Sequence, residues 1–339
     1  MVQVAGVGRQ VLDWLLLFFV LQIVSLAAWG AQEGSPPQAA DYVGAEMCGA
    51  CHSDQLAQFS KTAMAVLLTE KYPIDHRGCE ACHGPGSAHV EAIGEATDEA
   101  STERARNLIY RFSRHSPQEN SARCLACHQK DEKQSLFGRS RHLAGGVSCV
   151  DCHSAHLLNA QPEPVKTAAA LDTYFSVPQR APEREWLNSR LLRDKQPTLC
   201  YTCHRDLAAQ FQLPVRHRVN EGLVECSDCH NPHGSLNARE LRAENSEACT
   251  SCHVEKRGPF VFEHAAVRVE GCTACHTPHG TINQHLLKRR QQRQLCLECH
   301  TAPEAVNVPH PRLGFQAAGE CTRCHIEIHG SNYQRQFLR

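Results

Sequence analysis

The sequence predicts little regular secondary structure: short helices and loops wrapped around an elongated row of ten covalently held groups. Three observations predict this. Cys-x-x-Cys-His occurs ten times and uses all 20 cysteines. The 339 residues leave roughly thirty per motif, too few for an ordinary side-chain core between them. Aromatic residues are only 6% of the chain, and no run of alternating strand residues stands out.

The motif is the signature for covalent attachment of c-type haem. Each thiol adds across a porphyrin vinyl group, and the histidine supplies the proximal nitrogen to iron. The ten sites are Cys48, Cys51, His52; Cys79, Cys82, His83; Cys124, Cys127, His128; Cys149, Cys152, His153; and Cys200, Cys203, His204. They continue with Cys226, Cys229, His230; Cys249, Cys252, His253; Cys272, Cys275, His276; Cys296, Cys299, His300; and Cys321, Cys324, His325. A zinc knuckle or redox dithiol gives no reason for His in the fifth position every time. A disulfide scaffold would not favour one spacing. The cofactor reading is ten covalently bound haem c groups, and the fold class is that of a multihaem cytochrome c. The porphyrins then supply much of the apolar burial, and folding is coupled to haem attachment.

Residues 1–30 read as a secretory signal peptide. Arg9 is the positive charge, Val11 to Ala28 is apolar apart from Asp13, Trp14, Gln22 and Ser25, and Ala28-Trp29-Gly30 offers a cleavage site. The competing reading, a retained anchor, is weakened by Asp13 and Gln22, which leave a clean run of about nine residues, short of a membrane span. Residues 31–46 form a Gly-, Pro- and Ala-rich leader, and 47–339 the decahaem domain. The bare chain has a net charge of −1. Haem propionates add acid, so many of the 35 Lys and Arg are read as their partners. No basic patch for nucleic acid follows from this balance.

The elements follow in order. Ser53 to Leu68 reads as a helix with Leu56, Phe59, Ala63 and Leu67 on one face. Gly84-Pro85-Gly86 reads as a turn. Residues 90–112 read as helical, with Ile93, Ala100, Ala105, Leu108 and Ile109 apolar. Residues 157–182 hold four prolines and no cysteine or histidine, so they read as a linker or loop. A short helix is expected from Glu183 to Arg193, and a basic helix over Asn283 to Leu295 carries Lys288-Arg289-Arg290.

The repeat is two motifs, not one. A histidine trails sites 2, 4, 6, 8 and 10: His89, His156, His233, His279 and His329. Another precedes each of the same sites: His76, His142, His217, His264 and His310. Each of five units thus carries two motifs and two further histidines, which supply sixth ligands for both irons. His115 and His285 are left over and read as non-ligands. Met47 and Met64, the mature methionines, are set aside as axial ligands. His156 lies three residues from His153 and cannot reach the far face of the same porphyrin, so it serves another haem.

Bis-histidine iron has no open position for substrate, which leaves one-electron transfer. Ten centres in so short a chain make a wire, or a store of ten electrons. The chain resembles the periplasmic decahaem cytochromes of the MtrA/DmsE type. The resemblance rests on the signal peptide, the length, the ten motifs and the trailing histidines of Cys226-Ser-Asp-Cys-His230-Asn-Pro-His233-Gly234 and Cys272-Thr-Ala-Cys-His276-Thr-Pro-His279-Gly280. It implies a haem chain threaded through an outer-membrane β-barrel porin. One end would meet an extracellular multihaem cytochrome, and the other a periplasmic or inner-membrane cytochrome as donor or acceptor. His89 and His329 depart from the usual spacing of the trailing histidine. The rivals are a free periplasmic shuttle or store and, behind it, a multihaem reductase needing an open iron. The direction of electron flow is left open.

Overall fold

A computed structural model describes residues 41–156, 190–301 and 319–338. The signal peptide, most of the leader, the segment 157–182, most of the helix expected from Glu183, and His310 lie outside the described residues.

Short helices and loops make up the chain. Among the described residues the longest helix is Pro117–His128, with 12 residues. Ser116 caps it, Glu119 returns the bond to the Ser116 N–H, and Pro117 opens the first turn. Among the described residues the buried apolar side chains are Phe59, Ala105, Phe137, Phe211 and Val219, which are scattered, while nine polar or charged residues are also buried. In this part of the chain side chains alone build no layered core.

Three helices expected from periodicity are broken, two by local capping and the third by a bond to the preceding motif. Ser53 to Leu68 divides into Ser53–Phe59 and a 3-10 turn Ala63–Leu68. Thr62 makes the break: its extended backbone starts the second piece, its hydroxyl donates to the Phe59 carbonyl, and it accepts from the Met64 N–H. Residues 90–112 divide into Ser87–Glu95 and Glu99–Arg106, because Asp98 caps the second piece in a box with Ser101. The basic helix over Asn283 to Leu295 does not form. Gln284–Leu286 is a 3-10 turn in which His285 and Leu286 take φ of 56° and 55°, and helix returns only at Gln292–Leu297. The charge run lies in between. The backbone there is committed to the haem motif before it, as described below. Leu191, at the end of the segment expected as helix, likewise has φ of 55°.

Among the described residues strand pairing consists of two antiparallel ladders of two residues each, besides isolated bridges at His153, His230 and His276. Val215 and Arg216 pair with Thr281 and Gly280, and Phe262 and Glu263 pair with Ser331 and Gly330. Both ladders join one two-motif unit to the next. A glycine follows three of the trailing histidines, His233, His279 and His329, and makes this approach possible. A Cβ on Gly280 would overlap the Gln210 carbonyl oxygen of the preceding unit, and one on Gly234, at φ 105°, would lie 2.7 Å from the Leu136 carbonyl oxygen. At the N-terminal end Glu80, only 2% exposed, accepts from the N–H groups of Val43, Gly44 and Gly86 at 2.8–3.0 Å. That carboxylate ties residues before site 1 to the turn after site 2.

Gly280→Ala is expected to destabilise the holoprotein by about 1–3 kcal/mol, because the obstacle is backbone and cannot turn away. Thermal unfolding followed in the visible absorption band checks this. A midpoint equal to wild type would mean that the two units are not in contact at Gly280.

Candidate haem-binding sites

Each motif is one turn of helix. The histidine N–H bonds the carbonyl of the first cysteine four residues back, at 2.8–3.0 Å in nine motifs, and the tenth closes the helix Pro117–His128. Cysteines at i and i+3 of such a turn lie on one face. Two thiols and one imidazole are thereby presented together. At sites 4 and 6 the second residue between the cysteines is aspartate. Asp151 and Asp228 accept the N–H of the residue before the motif, at 2.6 and 2.8 Å, and lock the turn.

The thiols form an ordered series. Within every unit the first cysteines meet: Cys48 with Cys79, Cys124 with Cys149, Cys200 with Cys226, Cys249 with Cys272, and Cys296 with Cys321. The hydrogen bond holds Cys79 and Cys149 at about 7 and Cys272 at about 6, while their donors are pushed up. Between units the second cysteines come within electrostatic range: Cys82 of Cys127, Cys152 of Cys203, Cys229 of Cys252, and Cys275 of Cys299. Motif follows motif in space as it does in sequence.

Seven histidine pairs face one another with ring centres 5.9–6.3 Å apart: His83–His156, His142–His204, His153–His233, His217–His253, His230–His279, His264–His300 and His276–His329. Two imidazoles bound to opposite sides of one metal, each by a bond of about 2.0–2.1 Å, have ring centres about 6 Å apart. Their angles run from 10° to 74°, as ligands free to rotate about the axial bond allow. In each pair one ring belongs to a motif and the other is a histidine outside the motifs. The donor set and spacing therefore fit haem iron.

Backbone carbonyls orient the rings. His83, His153, His230, His276 and His325 donate from Nδ1 to the carbonyls of Tyr110, Arg190, Arg239, His285 and Gln336, at 2.5–2.9 Å. A carbonyl only accepts, so Nδ1 carries a proton, and Nε2 is the nitrogen turned away from the backbone. His142 and His217 do the same toward Pro232 and Pro278 of the following unit. Burial lowers His83, His153, His156, His264 and His279, and it takes His233 and His329 down to about 4.

A recurrent loop supplies the carbonyls at sites 4, 6, 8 and 10, and the sequence reading missed it. Arg190-Leu-Leu-Arg193, Arg239-Glu-Leu-Arg242, His285-Leu-Leu-Lys288 and Gln336-Phe-Leu-Arg339 share leucine in the third place and a basic residue in the fourth. In the first three, the fourth N–H donates to the motif's second cysteine carbonyl at 2.9 Å, and the second carbonyl accepts, at 2.7 Å, from the residue after the motif histidine. The left-handed residues Leu191, Arg239, Glu240, His285, Leu286 and Phe337 make the bend. The repeated leucine–basic pair behind sites 4, 6, 8 and 10 was the available signal. His285 takes part through its carbonyl, and His115 stacks on Tyr110 at 3.9 Å.

Two of the sequence's expectations change form. The two-motif unit does not close on itself: all seven ring pairs join one unit to the next. His76 and His89 stand outside these seven pairs, with Nδ1 of His76 3.0 Å from Asp75 and Nδ1 of His89 bonded to the Ala105 carbonyl at 2.9 Å.

Family models bear on the same segments. The doubled CXXCH motif matches 217–258 and 264–305, and cytochrome c554 and c-prime matches 85–154. The doubled frame runs even site to odd site, and each match contains a complete facing pair, His217–His253 and His264–His300. Together with the ring pairs, this makes the chain a multihaem c-type cytochrome, a protein of electron transfer. Its sequence is 31% identical over 303 residues to the multihaem cytochrome MtrA of Shewanella baltica, covering 86% of this chain and 79% of that protein. The chain belongs to the MtrA family.

Arg242→Pro, which deletes the N–H bonded to Cys229, is expected to cost about 1–3 kcal/mol. Arg242→Ala, which keeps it, should cost under about 1 kcal/mol. Denaturation of both holoproteins measures the difference, and equal losses would remove the loop's backbone role.

Proposed function

We propose that the mature chain, domain 47–339 after loss of 1–30, carries ten haem c groups. Each is held by one motif and by a second histidine from outside it. The seven ring pairs at 5.9–6.3 Å carry this reading. A bound haem supplies a one-electron iron centre. The chain's part is to fill both axial positions with neutral imidazoles and to hold the centres in sequence order.

The pairing follows one rule. Even sites take the trailing histidine of the next unit, so sites 2, 4, 6 and 8 take His156, His233, His279 and His329. Odd sites take the histidine that precedes the foregoing even site, so sites 5, 7 and 9 take His142, His217 and His264. By the same rule site 3 takes His76. His89 and His310 then close the two end sites, opposite His52 and His325. With both axial positions filled the protein is an electron carrier rather than an enzyme.

The family, with the ordered thiol series, supports a wire that conducts across the periplasm and outer membrane. Among the described residues no helix is long and apolar enough to cross a membrane. A crossing by this chain therefore calls for an enclosing protein, since non-helical backbone at membrane depth must be shielded. An outer-membrane β-barrel porin is the partner of that chemistry. An extracellular multihaem cytochrome would exchange electrons at one end, and a periplasmic or inner-membrane cytochrome at the other.

Intact mass of the denatured wild-type and His233→Ala chains should give ten haems each. Electron paramagnetic resonance should find only low-spin iron in wild type and one high-spin centre in His233→Ala. His285→Ala should keep the wild-type spectrum. A stoichiometric high-spin haem in wild type would bring back the reductase reading.

Affinity capture from detergent-solubilised outer membranes should recover a large β-barrel protein in stoichiometric amount. A chain found only in the periplasmic fraction would favour the free shuttle.

A further inference from the structure

The proximal histidines do not all donate to the same kind of acceptor. At the five even sites the acceptor of Nδ1 is a backbone carbonyl, which is neutral. At site 3 it is a carboxylate: His128 Nδ1 donates to Asp131 Oδ2 at 2.9 Å. At site 7, Glu255 Oε1 lies 4.0 Å from His253 Nδ1. At sites 1 and 5 Asp54 and Asp206 stand two residues after the motif histidine, the spacing of Glu255 and not that of Asp131. After the histidines of sites 2, 4, 6 and 8 the corresponding residues are Gly-Pro-Gly, Ser-Ala-His, Asn-Pro-His and Thr-Pro-His, none of them acidic. Site 10 has Glu327, yet its histidine uses the Gln336 carbonyl, while site 9 is followed by Thr-Ala-Pro.

The acceptor alters the iron through the ring. A carboxylate draws the Nδ1 proton more strongly than a carbonyl, and charge-assisted bonds are the stronger kind. The imidazole gains imidazolate character and becomes a more basic ligand. A more basic ligand favours ferric over ferrous iron, so the potential falls. Solvent weakens the effect, because the His128 and Asp131 side chains are 46% and 57% exposed. The direction is unchanged.

We propose that the proximal acceptor tunes the haems, a neutral carbonyl at the five even sites and a carboxylate at site 3, and that Asp131 sets site 3 below sites 2 and 4 in potential. Sites 2, 3 and 4 then run high, low, high. Each transfer moves one electron from a reduced haem to its oxidised neighbour, and a step into site 3 runs uphill. This rests on the haem assignment proposed above. Asp131 is a positioning residue, acting on iron through His128.

The test is redox titration of the holoprotein followed by electron paramagnetic resonance. Asp131→Asn keeps the shape and removes the charge. Glu132→Gln removes an equal charge one residue away and leaves the Nδ1 bond intact. In Asp131→Asn one of ten midpoints should rise and the others stay, and Glu132→Gln should leave all ten in place. Asp131→Ala should raise the same midpoint, so the outcome does not depend on how asparagine hydrogen-bonds. No rise in either Asp131 variant, or an equal rise in Glu132→Gln, would overturn the proposal. A variant and a wild type that both carry fewer than ten haems by mass would instead overturn the haem assignment itself.

Discussion

The bond from the proximal histidine's Nδ1 to a backbone carbonyl is the constraint around which most of the chain is arranged. It demands a carbonyl at a fixed place behind each even motif, and carbonyls inside a helix are already taken by the helix's own N–H groups. Behind sites 4, 6, 8 and 10 the chain meets the demand with residues in the left-handed region, His285 and Leu286 among them. Such residues cannot continue a helix, so the elements stay short. The motif gains a second tie as well, because the same loop returns an N–H to the second cysteine's carbonyl. Local backbone strain of roughly 1–3 kcal/mol per residue is a reasonable cost for holding a ligand ring in one tautomer and one orientation.

A second consequence concerns how units join. Because the facing rings come from different units, neither unit presents a complete pair alone. His142 and His217 also donate to Pro232 and Pro278 across the same boundary, and the glycines after the trailing histidines let the backbones touch. Ring geometry and chain packing therefore reinforce each other at the junctions after the second unit. Stability in such a chain is of the nearest-neighbour kind, as in stacked repeats. The few buried apolar side chains agree with this, since no shared core links distant units.

Membership of the MtrA family and the one-dimensional order of the thiols meet in the same physical picture. A wire needs its centres close, in sequence and protected from substrate chemistry. The first two follow from first cysteines meeting within units and second cysteines approaching between them. The third follows if every iron has two imidazoles, as the seven pairs indicate.

The sequence alone determined the attachment chemistry, because Cys-x-x-Cys-His is a local pattern and a single helical turn brings its three groups together. It also determined that the repeat has two motifs, since His76, His142, His217, His264 and His310 precede even sites only. It pointed His156 away from its own motif, because three residues cannot span a porphyrin, and in the structure that ring faces His83 of the preceding unit. Tertiary structure decided the partner. Whether His233 faces His204, His230 or His153 depends on how one unit lies on the last, and ring contact selects His153. Helix ends were misjudged where a long-range bond outweighed periodicity. Over Asn283 to Leu295 the spacing favours a helix, yet His285 must turn its carbonyl to His276. Periodicity records which face of a segment is apolar. It carries no trace of a backbone oxygen claimed by a ligand nine residues away.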